Sequence, residues 1–240
     1  MTRLTTCLDA ETVARRAAEH IASAVERARE ARGVAHVALS GGTTPGRTFE
    51  LLGARPEALD GAELWFADER CVPADDEESN YLLAERTLIA PAQIAAERVH
   101  RMHGELGPER GAAAYAGELV QRLGEELPPV LDLVVLGIGP DGHIASLFPG
   151  AATLDAGEDA IALGVSDSPK PPPERITLSL AVLRAARGCL MLATGAGKAD
   201  AVQAMLGEPT RHVPASLLDR DRLTVIVDDA AGPPAPLAPR

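Results

Sequence analysis

Leu133-Val134-Val135-Leu136 runs without a polar interruption into Gly137, and the chain continues Ile138-Gly139-Pro140-Asp141-Gly142-His143. An apolar run of this kind, closed by glycine, predicts a strand buried on both faces, as in a parallel sheet. Open α/β sheets bind ligands in the crevice beyond the carboxyl ends of such strands. Here that position carries an imidazole, His143, and a carboxylate, Asp141, on a glycine-rich turn. A short helical piece is expected to follow, stopped by Pro149. The stretch Leu131 to Pro149 is therefore the expected reaction centre, with His143 as its general base.

Three further strand ends point to the same crevice. Residues 34–39 predict a strand that gives way to Ser40-Gly41-Gly42-Thr43-Thr44-Pro45-Gly46, with a helix from about Arg47 to Leu52. Glycines at a strand-to-helix turn let backbone N–H groups approach an oxyanion, and nearby hydroxyls and the helix dipole add to the attraction. The turn lacks the Gly-Lys-Ser/Thr ending of a Walker A loop, and an ordinary tight turn is the plainer alternative. Residues 63–67 predict a strand that delivers Asp68, Glu69 and Arg70, with a polar loop over the site at 71–80. Residues 189–193 predict another, ending in Thr194-Gly195-Ala196-Gly197-Lys198. A lysine at a helix start opposes the dipole unless an anion lies between them.

Helices are expected at 11–32, 81–89, 108–127, near 181–186, and from Lys198 to Leu206. Additional strands are expected at 99–102, 160–165, from Arg175 through ITLSL, and at 223–227. SDSPKPPP (166–173) reads as a stiff polyproline-like connector. Strands alternating with helices imply an α/β fold, a three-layer αβα sandwich with a Rossmann-like, largely parallel sheet. Residues 1–229 are expected to form a single domain, with 230–240 as a disordered Pro/Ala-rich tail. Aromatic residues are only 2% of the chain, so Leu, Val, Ile and Ala must fill the interior.

The net charge of −12 argues against a nucleic-acid partner. No run approaches the roughly 18 apolar residues of a membrane span. The N-terminus turns polar too soon for a signal peptide. Cys7, Cys71 and Cys189 show no CxxC spacing and read as reduced thiols in a cytoplasmic protein. His100 and His103 stand three apart, but no third ligand cluster lies near, so no metal site is expected. Gly137-x-Gly139-x-x-Gly142 matches GxGxxG formally, yet Pro149 cuts short the helix a dinucleotide would need, and no cofactor is expected.

Taken together, LSGGTTP, WFADERCVP with DDEESNY, LGIGPDGHIASLFPG, PKPPPERITL and the GAGK turn resemble the 6-phosphogluconolactonase family. That family lies within the glucosamine/galactosamine-6-phosphate isomerase superfamily. The resemblance spans about residues 34 to 206. It implies hydrolysis of 6-phosphogluconolactone, with His143 as general base. It also implies phosphate contacts from Ser40, Gly41, Gly42, Thr43, Thr44, Arg175 and Lys198, and sugar or lactone contacts from Asp68 and Arg70. The related deaminases follow the histidine with an Asn-Glu-Pro segment, where this chain has Ser146-Leu147-Phe148-Pro149 and no acid.

The residues support such a reaction independently. No Gly-x-Ser-x-Gly elbow is present, and an activated ester needs only a positioned base. Arg70 and turn N–H groups near Gly139–Gly142 are expected oxyanion donors. Asp141 has three open roles: orienting the imidazole, capping the helix, or bonding a sugar hydroxyl. A sugar-phosphate isomerase or deaminase, and a non-catalytic sugar-phosphate sensor, are the competing readings. The expected partner is a small phosphorylated sugar lactone, and the oligomeric state is left open.

Overall fold

The computed structural model describes residues 2–233. The chain runs β1 (Arg3–Cys7), α1 (Ala10–Arg32), β2 (Ala35–Leu39), α2 (Thr43–Gly53), β3 (Ala62–Phe66), β4 (Asp68–Arg70), α3 (Asn80–Ala84), α4 (Pro108–Leu123) and β5 (Leu133–Gly137). It continues β6 (Ala162–Val165), β7 (Arg175–Leu178), α5 (Leu180–Ala185), β8 (Cys189–Ala193), α6 (Ala199–Leu206) and β9 (Leu223–Asp228). Six strands form one sheet in the order β1-β9-β8-β5-β2-β3, every neighbouring pair parallel. Helices cover both sides, so the fold is the expected α/β sandwich. Among the described residues no helix is long and apolar enough to cross a membrane.

The order of strands decides where a site can form. From β2 the chain moves outward to β3, whereas from β5, on the other side of β2, it moves to β8. Loops leaving adjacent strands in opposite directions open a crevice between them, at the carboxyl ends of β2 and β5. The rigid floor beneath it comes from the apolar runs: Leu133 to Leu136 and Cys189 to Ala193 are buried throughout. α1 begins at Asp9, whose side chain accepts from Thr12 N at 2.8 Å, and buries Val13, Ala17, Ile21 and Val25. The few aromatics sit at key joints: Tyr115 of α4 donates its hydroxyl to Phe66 O and accepts from Phe66 N, at 3.0 and 2.7 Å.

Several expectations are corrected. The charged triplet Asp68-Glu69-Arg70, expected only as the end of the preceding strand, is a separate strand that pairs antiparallel with β7, which pairs antiparallel with β6. Ala67 joins the two sheets, donating to Leu39 O and accepting from Leu178 N, both at 2.8 Å. Residues 99–102 form no strand beyond a bridge between Leu64 and Val99. His100 there is buried, stacked on Trp65, with its ring nitrogens 2.6 Å from Glu118 Oε1 and 3.1 Å from Glu63 Oε2. β1 was not anticipated, its sequence RLTTC being too polar to signal a strand. The helix expected to reach Leu127 ends at Leu123, and in the one expected at 81–89 the stretch 85–89 is a π-turn. Of the expected tail, Ala231 is buried and donates to Asp228 O, while residues 234–240 lie outside the described residues.

Glu69 explains how so polar a triplet becomes a buried strand. Its Oε1 accepts from Arg70 N and Asn80 N, and its Oε2 from Ser79 Oγ and Tyr81 N, all within 2.7–3.0 Å. The carboxylate thereby ties the start of α3 to β4. Glu69→Gln puts an amide nitrogen against two donors whichever way it is turned. Thermal melting is expected to show a loss of about 3 kcal/mol, or roughly 6–12 °C in Tm; an unchanged Tm would refute this role.

Candidate active site

A cavity of about 230 Å³ opens at the switch point between β2 and β5. Its wall includes Ser40 to Thr44, Asp68, Arg70, His143, Arg175 and Lys198, so five separate segments predicted from sequence meet in one place. Asp141 lies outside the lining and reaches the cavity through His143. The wall also contains Asn80, Lys170 and Thr194, which sequence reasoning did not single out.

The histidine sits on the loop after β5. The helix expected here is absent, since residues 140–150 form turns closed by Gly142 N to Gly139 O and Leu147 N to Ile144 O, both at 2.9 Å. Without a helix Asp141 caps none; its Oδ1 lies 2.6 Å from His143 Nδ1. An ionised carboxylate only accepts, so Nδ1 carries the proton and donates, which leaves Nε2 with the free lone pair. Gly139 packs against this pair: a Cβ there would lie 2.0 Å from Nδ1 and 2.5 Å from Asp141 Oδ1. Lys170 Nζ stands 3.2 Å from Asp141 Oδ1 and 3.2 Å from His143 Nδ1.

These neighbours set the charge states. Burial, the largest influence, pushes His143 below its ordinary value, and Lys170 adds to it, while the bond to Asp141 pulls the other way. Burial works to raise Asp141, yet its bonds and charge contacts with His143 and Lys170 outweigh it and hold the carboxyl at about 2. Lys198 is pushed down by burial first and by Lys170 second. The imidazole is thus neutral and basic near neutral pH, beside a permanent carboxylate.

The cradle after β2 takes its shape from close packing. A Cβ on Gly41 would lie 1.9 Å from Asn80 Oδ1, and Asn80 Nδ2 donates to Asp68 O at 2.8 Å. α2 begins at Thr43, earlier than expected, so both threonines occupy its first turn; Thr44 Oγ1 is 2.7 Å from Thr194 Oγ1. Ser40 Oγ and Arg70 Nε are buried on the cavity wall without a hydrogen-bond partner. Buried polar atoms left unpaired are rare, and two of the three side-chain cases among the described residues line this one pocket, the third being Thr153 Oγ1.

Three of the four Lys and Arg side chains on the wall bind backbone. Lys198 Nζ donates to Ile138 O at 2.7 Å, and Arg70 Nη1 to Glu78 O. Arg175, expected to reach phosphate, lines the cavity and also clamps the 166–173 segment, with Nε donating to Pro172 O and Nη2 to Lys170 O and Pro171 O at 3.0–3.2 Å. That segment is correspondingly a folded loop rather than an extended connector: Ser168 Oγ donates to Lys170 O, and Ser168 N to Pro173 O. Of the expected oxyanion donors, Gly139 N is bonded to His143 O and Gly142 N to Gly139 O, whereas Arg70 Nε has no partner. Asp68 Oδ2 accepts from Ser146 Oγ at 2.8 Å.

A pocket so built suits an enzyme that holds a small anion and moves a proton beside it. Residues 8–227 match the family described as glucosamine-6-phosphate isomerases/6-phosphogluconolactonase. The human 6-phosphogluconolactonase is 40% identical over 92% of this chain and 86% of its own length. That of Streptomyces coelicolor is 37% identical over 95% of this chain and 92% of its own. The solved structure of the 6-phosphogluconolactonase from Trypanosoma cruzi superposes with a TM-score of 0.86 at 25% identity, covering 96% of each chain. The chain belongs to the glucosamine-6-phosphate isomerase/6-phosphogluconolactonase family.

The electrostatics of the dyad are directly measurable. NMR titration should place the His143 midpoint below 6.5. Asp141→Asn should lower it further by removing a favourable charge, and Lys170→Ala should raise it by removing a like charge. Shifts of the opposite sign would mean that these groups do not face the imidazole as described.

Proposed function

We propose that this protein hydrolyses 6-phospho-D-glucono-1,5-lactone to 6-phospho-D-gluconate, the second step of the oxidative pentose phosphate route. The observation that carries the reading is an imidazole with a free Nε2, fixed by Asp141, on the same small cavity as a glycine-threonine cradle and Lys198. The curated relatives that share most of its length carry the lactonase name.

Nε2 of His143 takes a proton from water as its oxygen attacks C1 of the lactone. Positioned proton transfer of this kind contributes about 10²–10⁴-fold. The carbonyl oxygen becomes an oxyanion, which the Arg70 guanidinium stabilises; a single such donor is worth about 3–4 kcal/mol. The tetrahedral intermediate collapses by breaking the bond between C1 and the ring oxygen. The imidazolium returns its proton to that oxygen, and the new carboxylic acid ionises in solvent. Asp141 stabilises the transient imidazolium and holds its ring in place. Because a δ-lactone is an activated ester, no step calls for a metal or a covalent enzyme intermediate.

Ser40 to Thr44 and Lys198 hold the phosphate, with Lys198 exchanging Ile138 O for a phosphate oxygen. The unpartnered Ser40 Oγ is suited to the same anion. Asp68 accepts from sugar hydroxyls. Arg175 acts mainly by holding the loop that carries Lys170, with Nη1 as its remaining donor toward substrate. Anchoring at the phosphate end supplies orientation without entering the chemistry.

A coupled assay on freshly made lactone, corrected for spontaneous hydrolysis, tests the activity. His143→Ala should lower kcat by about 10²–10⁴-fold while affinity for 6-phosphogluconate survives; near-normal turnover would remove the base assignment. Lys198→Ala should raise KM more than it lowers kcat. The rate should be unchanged by a chelator, and kcat/KM should rise with pH along a limb centred below 6.5. Release of ammonia from glucosamine 6-phosphate would instead favour the deaminase reading.

A further inference from the structure

A second cavity, of about 430 Å³, opens at the opposite end of the sheet, between α1 and residues at or beside the starts of β1, β5, β8 and β9. Five-residue strands separate it from the candidate active site, roughly 16 Å of extended chain. In a chain of net charge −12, its wall gathers Arg3, Arg27, Arg32, Arg187 and Arg222 against two carboxylates, Asp132 and Asp221.

Three of these guanidinium groups have structural work. Arg32 and Arg187 both pair with Asp132, at 2.6 and 3.4 Å. Arg222 donates to Ala185 O and Ala186 O, at 2.7 and 3.2 Å, closing the end of α5. Arg3 and Arg27 make no ion pair or hydrogen bond to another described residue through their side chains. The α1 dipole does not account for them, because it fades beyond the last turn. Arg27 lies before that turn, and Arg3 is on a strand. Their charge is felt inside: His20 on the same wall is pushed down by burial first, then by Arg27 and Arg3.

We propose that this cavity is a binding site for a compact multivalent phosphate, a diphosphate group or a bisphosphate ester, with Arg3 and Arg27 as its direct ligands. Guanidinium groups match phosphate oxygens in pairs, and an anion between them relieves the mutual repulsion. The remaining wall is of small residues, including Ala24, Ala28 and Thr224, with no aromatic face besides His20 on which a base would stack. Recognition therefore rests on the phosphates. The negative charge of the whole chain disfavours long polyanions in favour of a small one that enters the cavity.

Isothermal titration of the full chain with inorganic pyrophosphate at low ionic strength tests the site. Lys198→Ala serves to remove binding at the candidate active site. In that background one binding event should persist, and the added pair R3Q/R27Q should weaken it about tenfold or more. Ala24→Glu, which leaves every arginine in place but sets a carboxylate among them, should weaken it likewise. In the wild-type background both changes should leave lactone turnover intact. The proposal is overturned if pyrophosphate binding vanishes with Lys198→Ala alone, or if it is indifferent to both R3Q/R27Q and Ala24→Glu.

Discussion

The 2.6 Å contact between Asp141 Oδ1 and His143 Nδ1 fixes everything that the candidate site can do with a proton. A carboxyl held at about 2 stays ionised, so it dictates the tautomer of its partner and leaves one nitrogen to act. The two residues are neighbours on one turn, which makes their meeting a local event rather than a product of distant packing. Gly139 allows it, since any side chain there would occupy the space of the imidazole. The turn closes on itself through Gly139 N to His143 O at 2.9 Å. What tertiary structure adds is dehydration and a third charge. Phe148 lies against the ring at 4.8 Å between centroids, and Lys170 arrives from a loop 27 residues later in the chain.

The cavity reverses the sign of the chain around it. Arg70, Lys170, Arg175 and Lys198 line it in a protein of net charge −12. Lys198 and Arg175 spend hydrogen bonds on backbone carbonyls rather than on carboxylates. A carbonyl satisfies a donor without cancelling its charge, so the positive potential survives for an incoming anion. Such a bond from a charged donor is worth about 1.5–3 kcal/mol net, and a phosphate offers the same donor a full opposite charge in exchange. The acidic groups nearby are each engaged: Glu69 by four donors behind β4, Asp68 by Ser146 and Asn80, and Asp141 by His143 and Lys170.

The main sheet and most of the site were legible because parallel strands bury both faces and write themselves as apolar runs. Val134, Val135, Leu190 and Met191 need no partner to be recognised, and glycine marks where β5 ends. Of the second sheet, β6 and β7 were legible as the expected strands at 160–165 and from Arg175, but β4 was not. That strand, Asp68 to Arg70, has no apolar residue, and only the donors clustered around Glu69 make its burial possible. The false helix after His143 had a sound local pattern, yet the segment folds as turns with Ala145 at φ 47°, a conformation no short-range signal in IASLF suggests. Lys170 was hidden for a related reason. A proline-flanked lysine reads as solvent-exposed linker until the loop is seen to curl back over the histidine.

Arg175 shows how resemblance and geometry divide a residue between two tasks. Pro171, Pro172 and Pro173 have no N–H to offer, so the carbonyls of residues 170–172 cannot be matched by donors within their own run. The buried guanidinium supplies donors to all three from the first residue of β7. That strand is itself paired with β4, which begins with Asp68 at the cavity. The antiparallel sheet therefore does more than cover one flank of the fold. It carries Asp68 and Arg70 on one strand and, through Arg175 on the next, the loop that sets Lys170 beside the Asp141–His143 pair. The parallel sheet carries His143 and the Ser40–Thr44 turn, and the small sheet carries the charges set beside them.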